Sequence, residues 1–505
     1  MQFKKILIAN RGEIALRIVR ACRELGIKTV AVYSEADRDS LHLRYADEAY
    51  SIGSSQPSES YLNIKKILEI AKKTSTDAIH PGYGFLAQNP ALAEACENNQ
   101  IEFIGPSSAT LRMMGSKTVA RMTVAKANVP LIPGTAEPVV DEKEIARVAE
   151  DLGFPVLIKA VYGGGGRGMR VVRDKTEIPQ AVESARIEAK TSFGNARLYV
   201  EKMLEKPRHV EFQVLADKNG VIIHLGEREC SIQRRYQKLI EETPSPMMTE
   251  KLRKIMGETA VKAAKAAEYV NAGTVEFLVD ENGTFYFLEM NTRLQVEHLI
   301  TEMVTGIDIV KEQIRIAAGE PLSFKQDDVK LYGHAINCRI NAEDPYNNFE
   351  PCPGTITKYH PPSGLGVRVD SALYEGYTIP VYYDSLIAKL AVWGRTRSET
   401  IARMRNALSE YVIEGIETTI PFHKKILEDE QYQLGNIHTN FVQERISNIT
   451  LAREHEYEDI AVLSAAIATY LQNQKAVRIV TPVRKTATAS YWKTRGFWSV
   501  DMQCS

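Results

Sequence analysis

Two apolar runs joined by a glycine turn lie between positions 273 and 298, in the order Gly273-Thr-Val-Glu276-Phe-Leu-Val, Asp280-Glu-Asn-Gly283, Thr-Phe-Tyr-Phe-Leu-Glu289-Met-Asn291 and Thr-Arg293-Leu-Gln-Val-Glu297-His298. This pattern predicts a β-hairpin. Because side chains alternate along a strand, Glu276 and Glu289 are expected opposite each other on one face, with Asn291 two residues further on. Two carboxylates and an amide are oxygen ligands that suit Mg²⁺ or Mn²⁺. The hairpin therefore predicts a metal site, and the alternative is a salt-bridged turn with solvated acids.

The residues that follow the hairpin add a fixed cation and a third carboxylate, Arg293 and Glu297, to the same region. The segment from Glu289 to His298 closely resembles the metal-binding and catalytic stretch of biotin carboxylases, which are members of the ATP-grasp superfamily. The resemblance extends from residue 1 to about residue 446 at nearly constant spacing. It implies an α/β (α+β) chain with a Rossmann-like N-terminal domain, an ATP-grasp central domain and a biotin carboxylase C-terminal domain.

The domain boundaries implied by the resemblance place the N-terminal domain at 1–114 and the ATP-grasp domain at 115–331. A subdomain that carries a glycine flap spans about 131–203, and the C-terminal domain spans 332–446. Residues 447–505 form an appendix that the resemblance does not cover. A chain of 505 residues is also too long for one ordinary hydrophobic core, which independently predicts several domains.

Composition excludes several classes of partner. The formal net charge is −1 and 25% of the residues are charged, so no positive excess points to nucleic acid or to an anionic membrane. The six cysteines are scattered without zinc-like spacing, which favours a reduced, intracellular protein. No apolar run approaches the ~18 residues of a membrane span. We therefore expect a cytoplasmic protein with no membrane and no nucleic-acid partner.

The first region alternates strand and helix patterns. A short apolar strand is predicted over 5–9, a helix over 13–25 and a second strand over 28–33, which together predict a Rossmann-like sheet. Such a sheet suggests NAD binding, but the first turn, Asn10-Arg11-Gly12, has one glycine where the dinucleotide fingerprint needs three. NAD binding is therefore disfavoured.

Two segments of this region, Asn10 to Ala15 and His80 to Leu86, resemble the N-terminal domain of biotin carboxylases. The sequence departs from the family directly after Leu86. Biotin carboxylases commonly continue Ser-Glu-Asn there, whereas this chain has Ala87-Gln88-Asn89. The departure replaces a carboxylate by an amide and removes the basis for a local ion pair.

A glycine-rich run follows an apolar strand in the second region: Phe154-Pro-Val-Leu-Ile-Lys159-Ala-Val-Tyr-Gly163-Gly-Gly-Gly-Arg-Gly168-Met-Arg-Val-Val172. Rossmann and P-loop glycines open a helix, but the β-branched pair Val171-Val172 predicts a strand. No P-loop or kinase signature completes the pattern. A strand, a glycine loop and a second strand favour a flap that closes over phosphates beside Lys159, with a flexible surface hairpin as the alternative.

The resemblance also implies individual site residues. Those implied to bind ATP are Lys117, Lys159, Gly164, Gly165, Gly166, Glu201, Lys202, Met203, Leu204, His209, Gln233 and Val296. Those implied to act in catalysis are Lys238, Arg293, Glu297 and Arg339. The metal ligands Glu276, Glu289 and Asn291 would hold two ions of Mg²⁺ or Mn²⁺. In this chemistry Glu297 deprotonates bicarbonate, Arg293 holds bicarbonate and carboxyphosphate, and Arg339 stabilises the biotin enolate.

Carboxylation needs a biotin, which carrier domains attach at the lysine of a Met-Lys-Met turn. No methionine in this sequence is followed by lysine. The expected carrier is therefore a separate polypeptide, and the partners implied are bicarbonate, a biotinyl-carrier or carboxyltransferase subunit, and a homodimer or larger complex. The resemblance implies the biotin carboxylase subunit of a pyruvate carboxylase, or alternatively of an acetyl-CoA or propionyl-CoA carboxylase.

Two other functions share part of this pattern. Another ATP-grasp ligase, such as one that makes carbamoyl phosphate, would share the flap and the metal ligands but not the set Arg293, Glu297 and Arg339. A nucleotide sensor without turnover would keep Lys159 and the flap, but it has no use for Glu297 beside the metal ligands.

The appendix is interpreted from periodicity. Ile460, Leu463, Ile467 and Leu471 recur every three or four residues and predict a helix over 458–471 with an apolar stripe. The stripe either packs on the third domain or docks another subunit. Beyond it, 477–485 alternates basic and apolar residues like an edge strand, and four aromatic residues, Tyr491, Trp492, Phe497 and Trp498, crowd the end of the chain. Because aromatic and arginine side chains anchor interfaces, we favour docking of the carrier or carboxyltransferase subunit.

Overall fold

The computed structural model describes residues 3–135, 139, 141–160, 169–193, 197–450 and 453–476. It divides into two compact units, Met1–Thr450 and Leu451–Ser505. The predicted strand over 477–485 and the aromatic residues that follow it lie outside the described residues. So do the flap glycines Gly164, Gly165 and Gly166.

A parallel five-stranded sheet opens the first unit. Its strands are β1 (Lys5–Ile8), β2 (Lys28–Ser34), β3 (Glu48–Gly53), β4 (Ala78–His80) and β5 (Glu102–Phe103), and its helices are α1 (Gly12–Glu24), α2 (Leu41–Tyr45), α3 (Ile64–Lys73), α4 (Pro90–Asn98) and α5 (Ser108–Gly115). The strand order is β3-β2-β1-β4-β5, and all pairs are parallel. Buried apolar side chains cover both faces, as parallel strands require. The predicted Rossmann-like domain is confirmed.

The glycine-rich run lies in a small antiparallel sheet. Its elements are α6 (Lys117–Lys126), α7 (Glu142–Leu152), β6 (Val156–Ala160), β7 (Met169–Val172), α8 (Ile178–Phe193) and β8 (Leu198–Lys202). The strand order is β7-β6-β8, and β6 pairs antiparallel with β7 across residues 161–168. The prediction that a strand precedes and a strand follows the glycines is confirmed.

An antiparallel eight-stranded sheet holds most of the remaining chain. The strands from here on are β9 (Arg208–Ala216), β10 (Ile222–Arg234), β11 (Gln237–Thr243), β12 (Asn271–Val279), β13 (Phe285–Asn291), β14 (His334–Asn341), β15 (Glu343–Asp344), β16 (Glu350–Pro351), β17 (Lys358–His360), β18 (Val367–Ser371), β19 (Leu386–Gly394) and β20 (Val412–Glu414). The large sheet has the order β13-β12-β9-β10-β11-β14-β19-β18. Because β11 pairs with β14, one sheet crosses the boundary expected at residue 331.

Helices cover the faces of this sheet. They are α9 (Glu250–Ala266), α10 (His298–Thr305), α11 (Ile309–Ala317), α12 (Arg397–Glu410), α13 (Ile420–Glu428), α14 (Glu430–Gln433) and α15 (Phe441–Thr450). Two buried apolar clusters lie between helices and strands, one around Phe212 and Phe277 and one around Leu390 and Phe422. These cores fix the strands that carry the polar side chains described below.

The predicted metal hairpin is formed by β12 and β13. Glu276 pairs with Glu289 and Thr274 pairs with Asn291, so the two carboxylates lie opposite each other with Asn291 two residues along. The register shifts by one residue between Glu276 and Phe277, which leaves this arrangement intact. Alternation within the two apolar runs was therefore sufficient to predict the pairing.

The second unit contains one described helix, α16 (Arg453–Ala476). The helix predicted over 458–471 is confirmed and is longer at both ends. Across residues 460–472 every side chain is exposed. None of the helices in the described residues combines the length and apolar content that crossing a bilayer would need.

Candidate active site

A cavity of about 830 Å³ lies where β6, β8, β9, the β10–β11 turn and the β12–β13 hairpin meet. Most of the site residues expected from the sequence line it: Lys117, Lys159, Glu201, Lys202, Met203, Leu204, His209, Gln233, Lys238, Glu276, Glu289, Asn291, Arg293, Val296 and Arg339. Glu297 lies behind this wall and is fully buried, with 0% of its surface exposed. The fold thus brings together residues that are far apart in the chain.

Glu276 is the centre of the hairpin site and is 2% exposed. Its Oε1 accepts hydrogen bonds from Lys238 Nζ at 2.9 Å, Asn291 Nδ2 at 2.8 Å and Gln295 Nε2 at 2.9 Å. Its Oε2 lies 2.8 Å from His209 Nε2. Burial by itself raises the pKa of Glu276, but Lys238 and His209 hold that pKa well below the usual carboxyl range.

Glu289 faces the open cavity across from Glu276. The surrounding protein desolvates its carboxylate and raises its pKa, and the neighbouring Glu276 charge raises it further. Asn291 Nδ2 lies 3.5 Å from Glu289 Oε1. A cation between the two carboxylates would relieve their mutual repulsion.

The residues present fit a hard divalent cation. Two carboxylates and an amide oxygen are the donors that Mg²⁺ takes, and a site with this few protein ligands leaves positions for phosphate oxygens. The Asn291 amide nitrogen points at the carboxylates, while its oxygen accepts from Arg293 Nη2 at 3.3 Å. A rotation of this amide by half a turn would direct its oxygen to the same point as the two carboxylates.

Lys238 neutralises three buried carboxylates at the back of the cavity. Its Nζ contacts Glu211, Glu276 at 2.9 Å and Glu297 at 2.8 Å. Burial lowers the pKa of a lysine, but Cys230 and these three carboxylates outweigh burial and raise the pKa of Lys238 well above its usual value. Lys238 is therefore a fixed cation and not a proton donor at neutral pH.

Glu297 is held between two cations. Its Oε1 accepts from Lys238, and its Oε2 accepts from Arg339 Nη2 at 2.9 Å. Burial raises the pKa of Glu297, but Lys238 and Arg339 lower it below the usual carboxyl value. A second carboxylate, Glu241, accepts from Arg339 Nε at 2.6 Å and is fully buried. Glu297 is consequently ionised at neutral pH and able to accept a proton.

Arg293 differs from Lys238 and Arg339 because its hydrogen-bond partners are neutral. Its guanidinium donates to Gln88 Oε1 at 2.8 Å, to Leu294 O and Gln295 Oε1 at 3.0 Å each, and to Asn291 Oδ1 at 3.3 Å. Among the described residues, no carboxylate forms an ion pair with it. Burial lowers its pKa. The Arg293 charge is therefore free to bind an anion in the cavity.

Gln88 lies in the segment Ala87-Gln88-Asn89, where the sequence departs from the biotin carboxylase pattern. Its amide oxygen accepts from Arg293 Nε, and its nitrogen donates to Thr292 Oγ1 at 3.3 Å. An amide–guanidinium hydrogen bond stands where a carboxylate would have made an ion pair. The substitution keeps the contact and removes one negative charge.

The opposite wall carries the cations expected to bind phosphates. Lys159 and Arg121 both pair with Glu201, which is 1% exposed. Lys117 begins helix α6 and is exposed to the cavity, and partial desolvation of its ammonium group by the surrounding protein lowers its pKa. Next to Glu201, Lys202 donates from its side chain to Gly153 O at 2.8 Å, and the run continues along the cavity through Met203 and Leu204.

Several residues of the site were not expected from the sequence. Arg228 is fully buried and binds Glu211 at 2.6 Å and Gln213 at 2.8 Å, and Glu241 and Arg121 complete two other ion pairs. The available signal was alternation: Glu211 and Gln213 follow His209 at intervals of two along β9, and the residues between and after them are apolar. Charged residues on one face of a buried strand indicate a polar site.

Three family models match the chain in succession. Residues 2–111 match "Biotin carboxylase, N-terminal domain", residues 116–325 match "Carbamoyl-phosphate synthase L chain, ATP binding domain", and residues 337–444 match "Biotin carboxylase C-terminal domain". The first and third models name the same enzyme, and the second names an ATP-binding domain.

Two curated relatives differ in how far they extend. A pyruvate carboxylase subunit of Methanothermobacter thermautotrophicus is 56% identical over 490 residues, which cover 94% of this chain and 100% of the relative. Biotin carboxylase 1 of Bacillus subtilis is 58% identical over 441 residues, which cover 87% of this chain and 98% of the relative. The first alignment leaves out only 6% of this chain, whereas the second leaves out 13%.

A solved structure has the same fold. It is the biotin carboxylase domain dimer of the 2-oxoglutarate carboxylase of Hydrogenobacter thermophilus, in complex with MgADP, ADP and bicarbonate. The TM-score is 0.85 at 50% sequence identity, and the match covers 89% of this chain and 99% of that chain.

Proposed function

This chain belongs to the biotin carboxylase family, and we propose that it is the biotin carboxylase subunit of a two-subunit pyruvate carboxylase. As a biotin carboxylase it is an ATP-dependent ligase that carboxylates biotin. The assignment to pyruvate rests on a relative, 56% identical, whose alignment covers 94% of the chain and reaches most of α16. The carrier of biotin is proposed to be a separate polypeptide, because the Methanothermobacter relative is named as a subunit and is matched over its whole length.

The observation that carries the reaction assignment is the group formed by Glu297, Lys238, Arg339 and Arg293. A buried carboxylate held ionised between two cations can act as a base, and a neighbouring arginine without an acid partner can hold an anion. An ATP-grasp ligase without bicarbonate activation has no need for this combination. The group therefore supports bicarbonate as the anion and Glu297 as its base.

We assign the following roles to the chain's residues. Glu297 removes the proton from bicarbonate while Arg293 holds the anion. The deprotonated bicarbonate then attacks the γ-phosphate of ATP, and Arg293 holds the carboxyphosphate that forms. Carboxyphosphate yields CO₂ and a phosphate basic enough to accept the ureido proton of biotin. Arg339 stabilises the negative charge that develops on the ureido oxygen. Lys238 keeps Glu276 charged throughout and holds Glu297 ionised until Glu297 takes the proton from bicarbonate.

ATP lies in the same cavity in this proposal. Lys159 and Lys117 bind phosphates together with Gly164, Gly165 and Gly166. Glu201 and the backbone of 202–204 contact adenine, and the remaining nucleotide contacts come from His209, Gln233 and Val296. Lys159 must leave Glu201 when phosphates bind, and Arg121 remains to neutralise that carboxylate.

Glu276, Glu289 and Asn291 are proposed to hold two ions of Mg²⁺ or Mn²⁺. When bound, such ions neutralise the negative charge on the reacting phosphates. The Hydrogenobacter structure contains MgADP, which supports magnesium as one occupant. That structure is also a dimer, which supports a homodimer as the core of the assembly. We also propose domain boundaries after residues 114, 331 and 446. We propose a cytoplasmic location for the protein.

One assay tests this function. ATP cleavage by the purified full chain is measured with bicarbonate, with and without free biotin, and carboxybiotin is measured in parallel. We expect bicarbonate-dependent cleavage that free biotin stimulates. Absence of ATP cleavage both with and without bicarbonate would favour a nucleotide sensor. Formation of carbamoyl phosphate when ammonia is added would favour the other ligase class. Carboxyl transfer from the complete assembly to acetyl-CoA or propionyl-CoA, and not to pyruvate, would replace the proposed acceptor.

Replacing Gln88 by glutamate should weaken bicarbonate binding. The new carboxylate would lie against the Arg293 guanidinium and offset the charge that attracts the anion. Because Gln88 is exposed, solvent screens the effect, and we expect the KM for bicarbonate to rise about twofold to fivefold with a smaller change in kcat. The measurement is bicarbonate-dependent ATP cleavage at low and high ionic strength.

The control is Gln88→Ala, which removes the hydrogen bond to Arg293 without adding charge. A salt-dependent rise in KM is expected only for the glutamate variant. Unchanged bicarbonate affinity in Gln88→Glu would mean that the Arg293 charge does not hold the anion.

A further inference from the structure

Helix α16 presents an uncharged surface to solvent. From Ile460 to Gln474 the sequence contains no charged residue. Six large side chains in this stretch are between 55% and 68% exposed: Ile460, Val462, Leu463, Ile467, Tyr470 and Leu471. We call residues 460–471 the apolar segment of α16. An exposed apolar surface of this kind indicates an interaction site.

The large side chains occupy half of the helix surface. At 100° per residue, Val462, Leu463, Ile467, Tyr470, Ile460 and Leu471 span about 180° of the circumference. The other half carries only small residues: Ala461, Ser464, Ala465, Ala468 and Thr469. Neither half has the charged face that a helix exposed on one side normally keeps. The apolar segment is therefore built to be covered, and a single helix seam would cover only part of it.

The relatives indicate which kind of partner covers it. The alignment with the Methanothermobacter protein leaves out only 6% of this 505-residue chain, about 30 residues, so most of α16 has a counterpart there. The alignment with biotin carboxylase 1 leaves out 13% of this chain, about 66 residues, although it covers 98% of the relative. That number agrees with the part of the chain that follows the last family model at residue 444. The helix thus accompanies a protein named as one subunit of a larger enzyme.

Charge adds a second property of the partner. Glu454, Glu456, Glu458 and Asp459 precede the apolar segment, at the N-terminal end of the helix. A complementary surface would have an apolar groove with basic residues at one end. If two copies of this chain paired their α16 helices in parallel, the acidic residues of both helices would lie next to each other and repel.

We propose that the apolar segment of α16 is the docking helix for the biotinylated partner subunit, the protein that brings carrier biotin to the cavity. The proposal rests on the proposed function, since it assumes a carrier on a separate chain. Docking through α16 would tether the carrier to this chain without using any residue that contacts ATP, bicarbonate or biotin. It would therefore act on assembly and not on the chemical steps.

The experiment uses tagged full-length chain expressed in its native cells. The variant Leu463→Glu/Ile467→Glu places two charges on the large-residue half, with glutamate chosen because it favours helix. The matched control is Gln472→Glu, which adds a charge to the same helix just past the apolar segment. Each protein is purified by its tag, and the co-purified biotinylated polypeptide is quantified with streptavidin. Free-biotin-dependent ATP cleavage and the molar mass of the isolated chain are measured in parallel.

Wild type and Gln472→Glu are expected to retain the biotinylated subunit, and the double variant to lose it by tenfold or more while keeping free-biotin activity and molar mass. Retention of the biotinylated subunit by the double variant would overturn the proposal. A drop in molar mass of the isolated double variant would assign the segment to a second copy of the chain and would also overturn it. Absence of free-biotin activity in wild type would refute the proposed function, and the association measurement would still decide the docking role.

Discussion

Glu276→Gln is expected to lower bicarbonate-dependent ATP cleavage by about 100-fold or more, the size of effect that removing one preorganised electrostatic contact produces. The amide has the shape of the carboxylate but cannot neutralise a divalent cation. Glu289→Gln should have a similar effect, because the two side chains face each other across the hairpin. Both rates are measured over a range of Mg²⁺ concentrations.

The fold should survive the Glu276 substitution. The glutamine oxygen can accept the three hydrogen bonds that Glu276 Oε1 now accepts. The amide nitrogen can donate to His209 Nε2, which is an acceptor when the imidazole carries its proton on Nδ1. Melting temperatures are measured for both variants. Glu281→Gln is the control, since Glu281 is an exposed acid on the same hairpin turn. Near wild-type rates in both Glu276→Gln and Glu289→Gln would exclude the metal site.

Arg339→Ala is expected to separate the two half-reactions. Biotin carboxylation should fall by about 100-fold or more, because the charge that stabilises the enolate is lost, while bicarbonate-dependent ATP cleavage should fall less. Glu297 keeps its contact with Lys238, so the base remains in place. Glu241 keeps the hydrogen bond from Asn337 Nδ2 at 2.7 Å, and its buried carboxyl can take up a proton.

The same variant should change the pH dependence of ATP cleavage. Arg339 helps to lower the pKa of Glu297, so its removal raises that pKa. The base must be ionised to act, and the acid limb of the pH–rate profile should therefore move to higher pH. Arg339→Lys restores a positive charge but not the paired contacts to Glu241 and Glu297. In this variant the acid limb should return toward its wild-type pH, while the carboxylation rate should recover less. Equal loss of both activities in Arg339→Ala would show that its role is misassigned.

Patterns within short stretches of the chain were sufficient for the elements and for one geometric detail of the site. The alternation of strands and helices before residue 115 predicted the parallel sheet. The apolar run before the glycines and the valines after them predicted one strand on each side of the glycine-rich run. Alternation also placed Glu276 opposite Glu289. These predictions succeeded because side-chain direction in a strand or helix has a fixed period that the sequence displays directly.

Tertiary structure decided which charges meet. Lys238 contacts Glu211, Glu276 and Glu297, which come from two strands and the loop after a third, and only the order of strands in the eight-stranded sheet brings them to one point. No local period encodes strand order, because it depends on which apolar faces pack together across hundreds of residues. For the same reason the sequence did not predict the buried contacts of Arg228.

The departure at Gln88 illustrates the difference in one residue. The sequence showed that a carboxylate was replaced by an amide, but not that the amide would bind Arg293 and leave its charge without an acid partner among the described residues. Chemical identity is a property of one position and is visible in the sequence. The electrostatic state of Arg293 is a property of all the groups around it, and the fold alone brings those groups within contact distance.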